Sequence, residues 1–99
     1  MGYVRTVLTR EKEEMPLPLY IDHHKNLEGL TAEAVMEGHK KDLEAQDKYG
    51  VKFHRYWYNE ETGEVFCLVE APNKEAAGAV HREAGGTAAE EITEVKEGT

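Results

Sequence analysis

Asp22 and His24 are the residues from which a chemistry can first be argued. They end a short apolar run, Pro18-Leu19-Tyr20-Ile21-Asp22-His23-His24. Alternate residues of a strand share a face, so Tyr20, Asp22 and His24 point one way while Leu19, Ile21 and His23 point the other. A carboxylate and an imidazole held on one rigid surface offer lone pairs to a divalent transition metal. The same two groups also occur as a hydrogen-bonded polar pair at a strand end. Nitrogen and oxygen donors suit nickel(II), zinc, copper and cobalt alike, and intrinsic affinity favours copper, so the donors alone do not choose the ion.

The bulk numbers narrow the setting of this pair. Ninety-nine residues fit one compact domain with little surplus stability, in which a bound metal or a dimer interface would matter to folding. A formal net charge of -8 argues against nucleic acid or an anionic membrane as partner, because no long-range positive field is available. The single cysteine, Cys67, allows neither an intrachain disulfide nor a thiolate cluster. No apolar run approaches the roughly 18 residues of a membrane helix, and the N-terminus has no hydrophobic signal core, so a cytoplasmic location is the default expectation.

The elements that must position the pair follow from composition. Tyr3 to Thr9 is rich in β-branched residues but is followed by the charged run Arg10 to Glu14, so residues 1–15 read as an N-terminal extension or an extra edge strand, and 16–97 as the domain proper. A strand over 17–23 leads into a loop from Lys25 to Leu30. Thr31 is placed as N-cap of a helix over 32–49, with Val35, Met36, His39 and Leu43 at helical spacing. Strands at 51–58 and 64–71 flank the hairpin loop 59–63, which contains Gly63. Asn73 caps a second helix carrying Ala76, Ala77, Val80 and Ala84, Gly85-Gly86 ends it, and a last strand follows near 91–96.

The order β-α-β-β-α-β predicts an α+β, ferredoxin-like split sandwich, with one antiparallel sheet and two helices on one of its faces. The first and third strands are expected side by side at the centre and parallel, which would bring His24 to Glu70 and make Asp22, His24 and Glu70 a cluster. An acid in the position of Glu70 also serves to cap the following turn. The other face, bare in a monomer, is expected to expose aromatic side chains from Tyr20, the 53–58 strand and Phe66, and so to pack against a second copy as a homodimer. Hairpin register decides whether His54, Tyr56 and Tyr58 or Phe53, Arg55 and Trp57 line that interior.

Several motifs in order resemble a family of small bacterial nickel-binding proteins, long catalogued as a domain of unknown function. They are Pro18 to His24, His39-Lys40-Lys41-Asp42-Leu43-Glu44, Arg55-Tyr56-Trp57-Tyr58, Val65 to Pro72 and His81-Arg82-Glu83-Ala84, and the resemblance covers roughly residues 16–96. It implies a ferredoxin-like fold, a dimeric α+β barrel and bound nickel, and it supplies no reaction. The family's Asp-x-His pattern falls on Asp22 and His24, its helical His-x-x-Asp on His39 and Asp42, and the end of its Val-Phe-Cys-Leu-Val-Glu run on Glu70. The metal ligands it implies are Asp22, His24, His39 and Glu70. One departure stands out: where the pattern has His-Arg-Glu-Ala-His-Gly, this chain has His81-Arg82-Glu83-Ala84-Gly85-Gly86, so a second site built on that i, i+4 pair lacks a ligand.

Other polar residues have plainer readings. His39 lies on the apolar stripe of its helix, where a core or interface histidine is common, and Asp42 reads as a solvated or paired acid. His54 and His81 read as surface or interface residues, and Cys67 as a small buried side chain with an inert thiol. Two rival functions remain open: a dimeric barrel enzyme or small-ligand binder using an aromatic-lined cavity with His24, Tyr56 or His54, and a regulatory module whose dimerisation is its function.

Overall fold

The structure, a computed structural model, describes residues 17–86 and 89–98; the expected extension or edge strand at 1–15 lies outside the described residues. In chain order the elements are β1 (Leu19–His24), α1 (Ala32–Ala45), a 3-10 turn (Gln46–Tyr49), β2 (Lys52–Asn59), β3 (Glu64–Glu70), α2 (Lys74–Glu83) and β4 (Glu91–Val95). Each helix starts where a side chain can satisfy an orphan amide: Thr31 accepts from Ala34 N, and Asn73 from Ala76 N. The helix expected over 32–49 is α-helical only to Ala45, tightens into the 3-10 turn, and stops at Gly50 in the left-handed region.

The four strands form one sheet in the order β2-β3-β1-β4, and every neighbouring pair is antiparallel. The ferredoxin-like arrangement is therefore present, but the expected parallel pairing of the first and third strands is not. The reason is topological: α1 carries the chain across so that β2 runs parallel to β1 with a gap between them. β3 then turns back by a hairpin into that gap, and so must oppose both neighbours. His24 consequently faces Val65, and Glu70 faces Leu19 at the far end of the pair. The meeting of His24 with Glu70 does not occur.

Sidedness follows from this register. Tyr20, Asp22 and His24 share a face with Val65, Cys67 and Val69, and the helices cover that face. Tyr20, expected on the bare side, is only 7% exposed within the core. A bulge between Phe53 and Arg55 resolves the hairpin register by mixing the two alternatives. Phe53 pairs with Val69 and Tyr56 with Cys67 on the helix side, whereas Arg55 pairs with Leu68 and Trp57 with Phe66 on the open side. The bulge has its own support, since the Gln46 side chain accepts from Phe53 N at 2.9 Å. No helix among the described residues is long and apolar enough to cross a membrane.

Two loops are fastened at the end of the sheet where β1 finishes. Leu27 N donates to Gly63 O at 3.0 Å, which ties the segment after β1 to the β2-β3 hairpin. Glu60 of that hairpin accepts from Ala32 N at the start of α1. Gly63 has φ +72°, and a Cβ placed there would meet Leu27 O at 2.6 Å. Both the conformation and the contact demand glycine. Gly63→Ala is expected to lower the unfolding free energy by about 2 kcal/mol or more, read from urea denaturation, whereas Gly29→Ala, with nothing near its Cβ, should lose only the left-handed backbone term.

Candidate metal centre

The antiparallel register places Cys67 directly opposite Asp22, with His24 two residues along on the same face. Ligand atoms of Asp22, His24 and Cys67 all lie within 4.8 Å of one another, and all three residues are buried. His24 Nε2 approaches Asp22 Oδ1 to 3.4 Å without hydrogen-bond alignment, so Oδ1 is a buried oxygen with no hydrogen-bond partner among the described residues. An orphaned buried carboxylate oxygen is costly, and a cation is one way to satisfy it. The donor set of one oxygen, one nitrogen and one sulfur fits a divalent transition ion.

The second oxygen of Asp22 is committed elsewhere. His81 Nε2 donates to Asp22 Oδ2 at 2.8 Å, and His81 Nδ1 donates to Asp42 Oδ1 at 3.2 Å. A neutral imidazole has one N–H, so facing a carboxylate oxygen with each nitrogen favours the doubly protonated cation. Burial would lower the His81 pKa, but the hydrogen bonds and charge of Asp22 and Asp42 outweigh it and push it up to about 9. For Asp22 the balance is similar: burial would raise its carboxyl, but His24 and His81 hold it down at about 2. Asp22 is thus ionised at neutral pH while fully buried. Burial, reinforced by the charge of Asp22, drives the Cys67 thiol far above its usual range.

Beside His24 and Cys67 lies a cavity of about 420 Å³, partly open to solvent and bordered by α1, the end of α2, the loop holding Leu27 and Leu30 and the strand ends, and His24, His39, Tyr56, Cys67 and His81 all line it. Of the residues singled out from sequence, Asp22 and His24 come together, and His39 faces the same cavity with its ring 4.6 Å from that of Tyr56. Glu70 is separated from them and instead bonds His54 Nε2 at 2.9 Å. His81, expected as a surface or interface residue, is 4% exposed. Its spacing with Ala77, Val80 and Ala84 was the available signal, because i, i+3, i+4 and i+7 form a single helix face. Cys67 is buried as expected, but its place beside Asp22 depends on the antiparallel register.

Residues 20–95 match the model of the SCO4226-like family, described as nickel responsive proteins. Among solved structures, the chain is similar to the crystal structure of SCO4226 from Streptomyces coelicolor A3(2). The two are 32% identical, the match covers 82% of this chain and 99% of that one, and the TM-score is 0.77. No curated protein matches.

The buried network sets a pH dependence for the metal-free protein. The raised His81 pKa contributes stability that is whole below its ordinary value of 6.5 and is lost as pH rises towards about 9. The depressed Asp22 pKa contributes stability that is whole above its ordinary 3.8 and is lost as pH falls towards about 2. The unfolding temperature should therefore fall on both sides of the window between these ordinary values. His81→Ala should remove the part of the decline that falls between about pH 6.5 and 9 and, by stranding two buried acids, cost on the order of 3 kcal/mol in chemical denaturation.

Proposed function

Because this chain belongs to the nickel responsive SCO4226-like family, we propose that it binds divalent nickel at the end of its sheet, through Asp22 and His24 with Cys67 as a third donor. The observation that carries this reading is Asp22 Oδ1, a fully buried oxygen without a hydrogen-bond partner beside an imidazole and a thiol. Its carboxylate is already ionised, so a cation arriving there need not displace a proton from it. Cys67 differs, because its thiol must give up a tightly held proton to ligate. His39 lines the same cavity but is not among the residues whose ligand atoms come together, so the reading rests on the other three donors. Storage, delivery and sensing of the ion are all compatible with such a site.

The open face of the sheet supports a second element of this reading, a homodimer formed face to face. Trp57 is 49% exposed on that face, beside Phe66 and Leu68 of β3 and Ile21 of β1, which are only half-buried. Such a contiguous apolar strip is characteristic of an interface. The acid-histidine pairs His54-Glu70 and His23-Glu64 sit at its ends and suit a polar rim.

Elemental mass spectrometry after dialysis against equimolar nickel, zinc and copper tests the site. Stoichiometric metal is expected in the native chain, with a loss of at least tenfold in affinity in His24→Ala and Cys67→Ala, both checked for folding by circular dichroism. Native protein that retains no metal would sink the reading. Affinity should weaken as pH is lowered from about 8 to about 5, because imidazole and thiolate ligation both compete with protons. For the dimer, light scattering should give twice the chain mass, and Trp57→Glu should shift the protein to monomer without loss of metal.

A further inference from the structure

We propose that the cavity above the metal centre holds a second ligand of the ion, a small α-amino or α-hydroxy carboxylate with an apolar side chain that chelates through its carboxylate and its α-substituent. This rests on the metal reading above and goes beyond it by assigning the cavity an organic occupant.

Coordination is the first argument. Asp22, His24 and Cys67 all approach from the sheet, and three donors fall short of the four to six that transition ions fill. Asp22 is closed off behind the others, whereas His24 and Cys67 border the cavity, so a further ligand of a bound ion would have to come from that space.

Volume and wall chemistry decide what fills it. The cavity of about 420 Å³ lies within the range of small-molecule sites and far exceeds the roughly 30 Å³ that one water takes up in the liquid. Leu27, Leu30, Ala34 and Val35 form its apolar wall. Polar side chains of His24, His39, Tyr56 and His81 border the rest of it. An organic ligand with a chelating head and an apolar body matches both halves of the cavity.

One lining residue carries an unpaired polar atom. His39 Nδ1 is buried with no partner among the described residues, and His39 lines the cavity beside Tyr56. Access is easy, since Gly38, Gly85 and Gly86 border the cavity without side chains, and Lys41 and Glu37 are exposed at its edge.

Titration of nickel-loaded protein with L-leucine and with 2-hydroxyisocaproate, followed by the nickel d–d absorption, tests the proposal. Metal-free protein serves as the comparison, and chelation of nickel in free solution is corrected for. A saturable spectral change with at least one of the two is expected, together with a rise of about fivefold or more in nickel affinity measured by chelator competition. The two compounds separate amino from hydroxy acids. Gly38→Phe, whose new side chain starts from a Cβ with nothing within 4 Å, should fill the cavity, keep nickel and lose the response. Ala34→Phe is a second filling variant should the first fail to fold. Nickel bound with no response to either carboxylate overturns the inference and leaves the metal reading standing. An unchanged response in a folded, cavity-filled variant overturns the cavity as its seat. Protein that binds no nickel overturns both.

Discussion

The imidazole of His81, held between Asp22 and Asp42, is the contact on which the rest of the structure depends. It joins β1, α1 and α2 through two hydrogen bonds to carboxylates, deep in a domain with few large apolar side chains at its centre. Charge-assisted bonds of this kind are strong, but a buried array is stable only when each member is satisfied. Asp22 is the member that is only half satisfied. One of its oxygens is committed to His81 and the other has no hydrogen-bond partner, so the fold and the candidate site share a side chain.

That sharing explains why the candidate centre is rigid. Asp22 cannot swing away from His24 without releasing His81, and His81 is in turn packed edge-on against His24 and Phe53. The helix ends nearby are tied as well, with Lys48 and Tyr49 of the 3-10 turn both bonding Glu83 at the end of α2. Donors supported in this way keep their spacing before a ligand arrives, which reduces the ordering cost of binding.

The two faces of the sheet have separate tasks for a reason that lies in the pleat. Alternation assigns Tyr20, Asp22 and His24 to the covered side and Leu19, Ile21 and His23 to the open side. The bulge in β2 then turns Trp57 and Arg55 outward while keeping Phe53 and Tyr56 inward. The buried polar cluster consequently lies under the helices, and Trp57 and Phe66 lie on the open face.

Local rules determined the elements. Thr31 and Asn73 marked helix starts, Gly50 and Gly85 marked stops, and β-branched and aromatic runs marked strands, because capping, backbone freedom and pleat packing act over a few residues. The pairing of Asp22 with His24 on one face was legible for the same reason, since a two-residue period needs no knowledge of neighbours. Strand direction across the sheet depends on how α1 carries the chain, and reading β1 and β3 as parallel placed Glu70 beside His24 and left Cys67 out. Likewise the burial of His81 and its bonds to acids 59 and 39 residues away belong to packing between elements. Sequence by itself determined which residues could act and on which local face; only the tertiary structure decided which of them meet, because contacts between distant segments are set by topology and register.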